Sequence, residues 1–122
     1  MRTFNTGATR SSATNKNSYY GFRNPLVELS FANYMRKHTI QEDGKVRDAN
    51  NWWKGWDKEI SLQSLIRHTE DLQAICAGYN VYEIDGERIY TKKEMKEHTP
   101  ITEEDCLNAI RFNTGAYLLE IL

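Results

Sequence analysis

The stretch "FNTGATRSS", Phe4 to Ser12, gathers two threonines, two serines, a glycine and an arginine behind one aromatic residue. Such a set suits an anion. Gly7 and Ala8 allow close approach to backbone N–H groups, Thr6 and Thr9 add hydroxyls, and Arg10 offers a planar fork of donors for a phosphate. Lys16 and Arg23 continue the positive character along the same segment. The plain alternative is a polar terminus whose cations serve solubility, and these residues alone leave both open. A second set is "NNWWKGW", with three tryptophans within five positions. Their rings offer faces on which a base stacks, or else a lid over a small core. A third is "EEDCLNAIRFN", where Asp105, Asn108 and Arg111 recur at helical spacing. Surface pairing is the ordinary use of such a trio and ligand contact the alternative. Arg67-His68 with Asp71 reads as a salt bridge on a helix.

Several familiar chemistries are missing. No Gly-x-x-x-x-Gly-Lys-Ser/Thr loop and no Gly-x-Gly-x-x-Gly occurs, so neither common phosphate cradle is present. No Cys-x-x-Cys or His-Glu-x-x-His supplies a zinc site. His38, His68 and His98 are each followed by threonine, and none by aspartate, so an HD-type phosphohydrolase is not expected. Helical nucleotide pyrophosphatases hold Mg²⁺ between a Glu-x-x-Glu on one helix and a Glu-x-x-Asp on the next. That paired spacing is not met here.

Composition narrows the class further. At 122 residues the chain is expected to form one domain, residues 1–122, with 39% apolar and 27% charged residues as in ordinary globular proteins. A net charge of −1 gives no global field for nucleic acid, and no apolar run approaches a membrane span. No leader-like apolar stretch opens the chain. Two cysteines are too few for a disulfide framework, and Cys76 and Cys106 both fall at core-like helical positions, which predicts reduced thiols inside a cell.

The elements that must position these residues follow from periodicity and punctuation. Residues 1–23 read as an extended polar arm. Asn24-Pro25 starts a helix, with Asn24 as cap, Pro25 at the first position and an apolar stripe of Leu26, Leu29, Ala32 and Met35 running to about Lys37. Asp43-Gly44 marks a turn, and residues 43–58 form a loop. A second helix places Leu62, Leu65, Ile66, Leu72, Ile75 and Cys76 inward and stops at Gly78. "NVYEIDGERIYT", residues 80–91, predicts a hairpin turning at Asp85-Gly86, with Glu83 opposite Arg88 and Tyr82 opposite Ile89. Thr91 and Glu94 suggest a capped short helix, and Thr102 with Asp105 a weaker box opening the last one. That last helix carries Leu107, Ile110, Phe112, Leu118, Leu119, Ile121 and Leu122 around most of its circumference, which predicts burial against both a core and a partner chain. The expected fold is mainly α, of the α+β class: a small helical domain with a β-hairpin insertion and an extended N-terminal arm, in an oligomer.

Taken in order, Phe4, Thr6, Gly7, Ala8, Arg10, Lys16, Pro25, Asn51, Trp52, Lys54, Gly55, Arg67, His68, Phe112 and Asn113 resemble the phage domain known as dATP/dGTP diphosphohydrolase, N-terminal region. The chain departs from it at Cys106, where enzyme-like members carry a histidine, and in the hairpin that replaces an acidic segment. In length, layout and hairpin it is similar to the Thoeris anti-defence sponge family of phages. That resemblance implies a non-catalytic protein of the host bacterial cytoplasm, a homo-oligomer and specifically a hexamer. It would capture cyclic ADP-ribose isomers and, in some members, cyclic di- or trinucleotides, without a cofactor or metal. On that reading Arg10 and the Thr6–Thr9 backbone, helped by Lys16 and by Arg23 or Arg111, hold phosphates. Phe4 and Leu26 adjoin them, and Tyr82 with Ile84 or Ile89 walls the base. The alternative is a Mg²⁺-dependent dATP/dGTP diphosphohydrolase using Asp71, Glu103, Glu104 and Asp105. A purely structural helical oligomer is a third.

Overall fold

Asn24 sets the point at which the chain becomes helical. Its Oδ1 accepts from the backbone N–H groups of Leu26 (3.0 Å) and Val27 (3.4 Å), and Pro25 follows with the φ a first turn needs. The resulting helix α1 spans Pro25–His38. The computed structural model describes residues 2–3, 5–7, 9–10 and 20–122. Near the start, β1 (Arg2–Thr3) pairs antiparallel with β2 (Thr9–Arg10).

Helix α2 (Lys58–Cys76) ends in a Schellman motif. Gly78 takes φ +91°, the Tyr79 N–H donates to Ala74 O and the Gly78 N–H to Ile75 O, each at 3.0 Å. The chain then turns straight into the hairpin of β3 (Asn80–Ile84) and β4 (Glu87–Thr91). Asp85 and Gly86 both have positive φ, as a type I′ turn requires, and Glu83 faces Arg88 and Tyr82 faces Ile89 as the spacing predicts. Helix α3 (Glu103–Ile121) opens with the expected capping box, in which the Asp105 N–H donates to Thr102 Oγ1 at 3.1 Å. Among the described residues the protein is thus a small α+β fold of three α-helices and one five-residue-stranded antiparallel hairpin.

The core lies where α2, α3 and β3 meet. Among the described residues its fully buried apolar members are Val81, Tyr82, Cys106, Ala109 and Ala116. The Ile101 N–H donates to Val81 O at 2.8 Å and ties the hairpin to the entry of α3.

Three expectations fail for local reasons. Residues 92–99 form no helix: Thr91 Oγ1 accepts from the Lys93 N–H, and the Met95 N–H donates to the Tyr82 hydroxyl, so these backbone donors are spent on turn and core contacts. On α2, Leu62, Ile66 and Cys76 are exposed, while the fully buried residues are polar, Ser61 and Asp71. Leu65, Leu72 and Ile75 are half-buried as the spacing predicts, and they share the inward face with Ser61 and Asp71, whose polar partners lie on Trp56 and the hairpin. On α1, Leu26 and Leu29 are exposed and the helix has no fully buried residue, because its contact with α3 is largely polar.

Candidate functional site

The helical trio on α3 forms a seam with α1. Asp105 Oδ1 accepts from Lys37 Nζ at 3.2 Å, Asn108 Nδ2 donates to Ser30 Oγ at 2.9 Å, and Arg111 Nη2 donates to both Glu28 oxygens at 2.8 and 3.1 Å. Ser30 in turn donates to Glu104 at 2.6 Å. The pairs run in opposite directions along the two helices, so α1 lies antiparallel to α3. All three residues of the trio thus pair across the α1–α3 seam.

At the N-terminal end of the seam, Arg23 also reaches Glu28, at 3.5 Å. Two guanidinium groups expected to hold phosphate thus meet at one carboxylate, although 88 positions separate them in sequence. The hydrogen bonds from Arg111 hold the Glu28 carboxyl below its usual range, against its desolvation and with further help from Arg23. Arg111 also lies over the Phe31 ring at 4.3 Å. Leu26, 78% exposed, sits on the same first turns of α1.

An aromatic track continues from there. Phe31 stacks with Tyr34 at 6.4 Å between centroids, and Tyr34 meets His38 at 4.2 Å. Tyr34 and His38 then border two cavities of about 210 Å³ each. The first is aromatic, bounded by Trp52, Trp56 and Phe112, with Arg47, Asp48 and Asn51 at its edge. Phe112 meets Trp52 at 5.8 Å and Trp56 at 5.9 Å. Trp56 is fixed twice, through its Nε1–H to Ser61 Oγ (2.8 Å) and its backbone N–H to Glu120 (3.1 Å). Glu120 passes where a side chain at Gly55 would stand, and Gly55 has φ +83° and ψ 159°, a region essentially confined to glycine. The glycine of "WWKGW" is thus needed for the loop to close on α3. Trp53 points away and is 63% exposed.

The second cavity has Ile101 and Ala109 in its wall and charged or titratable side chains around it, Lys37, His68, Glu83, Arg88 and Asp105. Beneath it, the fully buried Asp71 accepts from Arg88 Nε at 3.0 Å and from the Tyr90 hydroxyl at 2.6 Å. Arg88 pairs onward with Glu83 at 3.0 Å. The salt bridge expected of Arg67, His68 and Asp71 therefore goes to the hairpin: Arg67 turns to Ser64, and His68 Nδ1 stays 3.9 Å from Asp71. Burial lowers the pKa of His68, and Arg67 and Arg88 push it the same way against Asp71. Burial and Lys37 likewise lower that of His38. Burial, then the Asp105 charge, pushes Tyr34 up to about 12. Burial, then Asp71 and Asp105, raises Cys106 to about 11, so this buried thiol stays protonated at neutral pH.

The remaining expected site residues are placed unevenly. Phe4, Ala8, Lys16 and the side chain of Arg10 lie outside the described residues. Gly7 has φ +84° between β1 and β2, and Thr6, Gly7 and Thr9 are exposed. Tyr82 is 1% exposed, with its hydroxyl accepting from Met95, so its ring presents no face to a base in this fold; Ile84 and Ile89 are half-buried beside it. The four carboxylates of the hydrolase alternative do not converge, since Asp71 serves the hairpin and Glu104 and Asp105 serve the α1 seam. Glu94 and Glu97 are three positions apart, but in a non-helical segment. Among the described residues, no group of three or more His, Cys, Asp or Glu side chains is gathered as a metal requires, and no helix is long and apolar enough to cross a membrane. Tyr34, His38 and Phe112 were not expected at the centre. A tyrosine and a histidine four apart on α1, on the side away from its apolar stripe, were the signal available.

Comparison with known proteins adds no relative: no protein-family model matches this chain, and no similar curated protein or solved structure was found.

Proposed function

We propose that this protein binds a cyclic nucleotide signal, a cyclic ADP-ribose isomer or a cyclic di- or trinucleotide, and sequesters it without cleaving it. The observation that carries this reading is the meeting of Arg23 and Arg111 at Glu28, on the first turns of α1. Two guanidinium groups against one carboxylate leave a net positive charge, and the α1 N-terminus adds to it. Each guanidinium has five N–H donors and, among the described residues, hydrogen-bonds Glu28 through its Nη2, so further donors are available for phosphate oxygens in this reading. The segment holding Thr6, Gly7, Ala8, Thr9, Arg10 and Lys16 leads into this same end of α1 through Arg23, and Leu26 adjoins it.

Sequestration needs about nanomolar affinity, roughly −12 kcal/mol. A ligand of cyclic dinucleotide size reaches that range at about −0.3 kcal/mol per heavy atom when the site is preformed. The protein works as a homo-oligomer in this reading, the hexamer of the family it resembles, in the cytoplasm of an infected bacterium. Exposed apolar residues on all three helices, including Leu107, Leu118, Leu119 and Ile121 on α3, support an assembly.

The test is calorimetric titration without metal, using a cyclic ADP-ribose isomer and a cyclic trinucleotide, followed by heating and chromatographic recovery. The expected result is tight binding of at least one, its recovery intact, and a loss of tenfold or more in Arg111→Ala and Arg23→Ala. Recovery as a cleaved monophosphate would indicate the hydrolase, and no binding of either would overturn the reading.

A further inference from the structure

We propose that the aromatic cavity between α1, the tryptophan loop and α3 is a base-binding site that takes one purine ring against Trp52. The inference rests on the nucleotide reading above and names the part of the ligand this cavity would hold. Its volume of about 210 Å³ is below the roughly 300–1,000 Å³ typical of whole-ligand pockets, so it fits one ring system and leaves sugar and phosphate outside.

Its walls are ring faces already held in place. Phe112 sits 5.8 Å from Trp52 in an edge-on arrangement, and Trp56 is anchored to Ser61 and Glu120, so little ordering remains to be done on binding. Among the described residues, the side chains of Arg47, Asp48 and Asn51 at the edge make no hydrogen bond or ion pair. They bring donors, a carboxylate acceptor and an amide that is both, which is what the mixed polar edge of a purine requires. The backbone fixes their position: the Arg47 N–H donates to Thr39 O at 2.8 Å and the Asn51 N–H to Asp48 O at 3.0 Å.

The cavity is also connected to the phosphate end. From Glu28, six residues of α1 lead to Tyr34 at its border, a rise of about 9 Å, with Phe31 stacked between. A base in the cavity and a phosphate at Arg111 therefore lie along one face of one helix.

The experiment uses adenosine, guanosine and cytidine, with ribose 5-phosphate as the phosphate-only probe, read by tryptophan fluorescence and calorimetry. The purine nucleosides are expected to quench wild-type fluorescence and shield it from acrylamide, more strongly than cytidine, while ribose 5-phosphate does neither. Trp52→Leu is expected to lose the response and to weaken cyclic nucleotide binding by roughly tenfold to a hundredfold. Trp53→Leu, at a ring outside the cavity, is expected to keep both. Should Trp52→Leu fold poorly, the wild-type acrylamide measurement decides alone. A cyclic nucleotide that titrates while no nucleoside quenches or shields would overturn the base site and leave the phosphate reading intact. Equal responses to cytidine and the purines would overturn the purine assignment. If nothing binds, site and reading fall together.

Discussion

The two halves of this molecule use polar residues in opposite ways. On the hairpin side, Asp71, Arg88 and Tyr90 form a network whose central carboxylate is fully buried, next to Val81, Tyr82 and Cys106. On the α1 side, Glu28, Ser30 and Lys37 meet α3 through contacts near the surface, and α1 has no fully buried residue. A buried ion pair is strongly destabilising to break from one side, whereas exposed pairs contribute little. The hairpin side is therefore the scaffold. The α1 side, joined through exposed pairs and bordering the aromatic cavity, is where the proposed ligand would sit.

The largest expected effect is at the buried network. Asp71→Ala leaves Arg88 without its buried partner and is expected to cost about 3–5 kcal/mol in chemical denaturation. A loss below about 1 kcal/mol would end the distinction between the halves. Gly55→Ala forces a side chain into a glycine-only conformation against Glu120, with an expected cost of about 1–3 kcal/mol and a changed tryptophan emission. An unchanged emission spectrum would show that the loop does not depend on this closure.

A pH effect follows from His68 and His38, whose folded pKa values lie below the ordinary value near 6.5. At pH 8 both states are neutral there. As pH falls through about 6.5 the unfolded chain takes up protons first, so stability declines, and it levels off once the folded histidines titrate. Denaturation midpoints at pH 8 and 5.5 read this directly, and His68→Gln is expected to reduce the difference; stability rising toward pH 5.5 would contradict it. The smallest effect is at the seam. Lys37→Ala removes an exposed partner of Asp105 and is expected to cost only about 0.2–1 kcal/mol by the same denaturation.

Much of the fold was legible because its signals are local. Asn24-Pro25, Asp85-Gly86, Gly78 and the Thr102–Asp105 box each act within a few residues, and each element starts or stops where they stand. The failures are non-local. Thr91 carries a plausible cap signal, but the Tyr82 hydroxyl, thirteen residues away from Met95, draws in a backbone N–H that a helix would use otherwise. Apolar spacing on α2 pointed to Leu62 and Ile66, whereas Arg88 and Tyr90 on the hairpin decided that Asp71 faces inward.

The candidate site was legible in its residue types and not in its grouping. Arg23 and Arg111 stood out as cations for phosphate, but only the antiparallel packing of α1 on α3 brings them to one carboxylate. Tyr82 was legible as an aromatic in a hairpin, with nothing local to say that its ring faces the core.

Amide hydrogen exchange with and without a cyclic ADP-ribose isomer tests the division between scaffold and recognition surface most directly. The account predicts added protection in α1, in residues 47–56 and around Asn108–Phe112, with residues 80–91 already slow and unchanged. Protection appearing in the hairpin while α1 and the tryptophan loop stay unaltered would contradict it and return the base to Tyr82 and its neighbours.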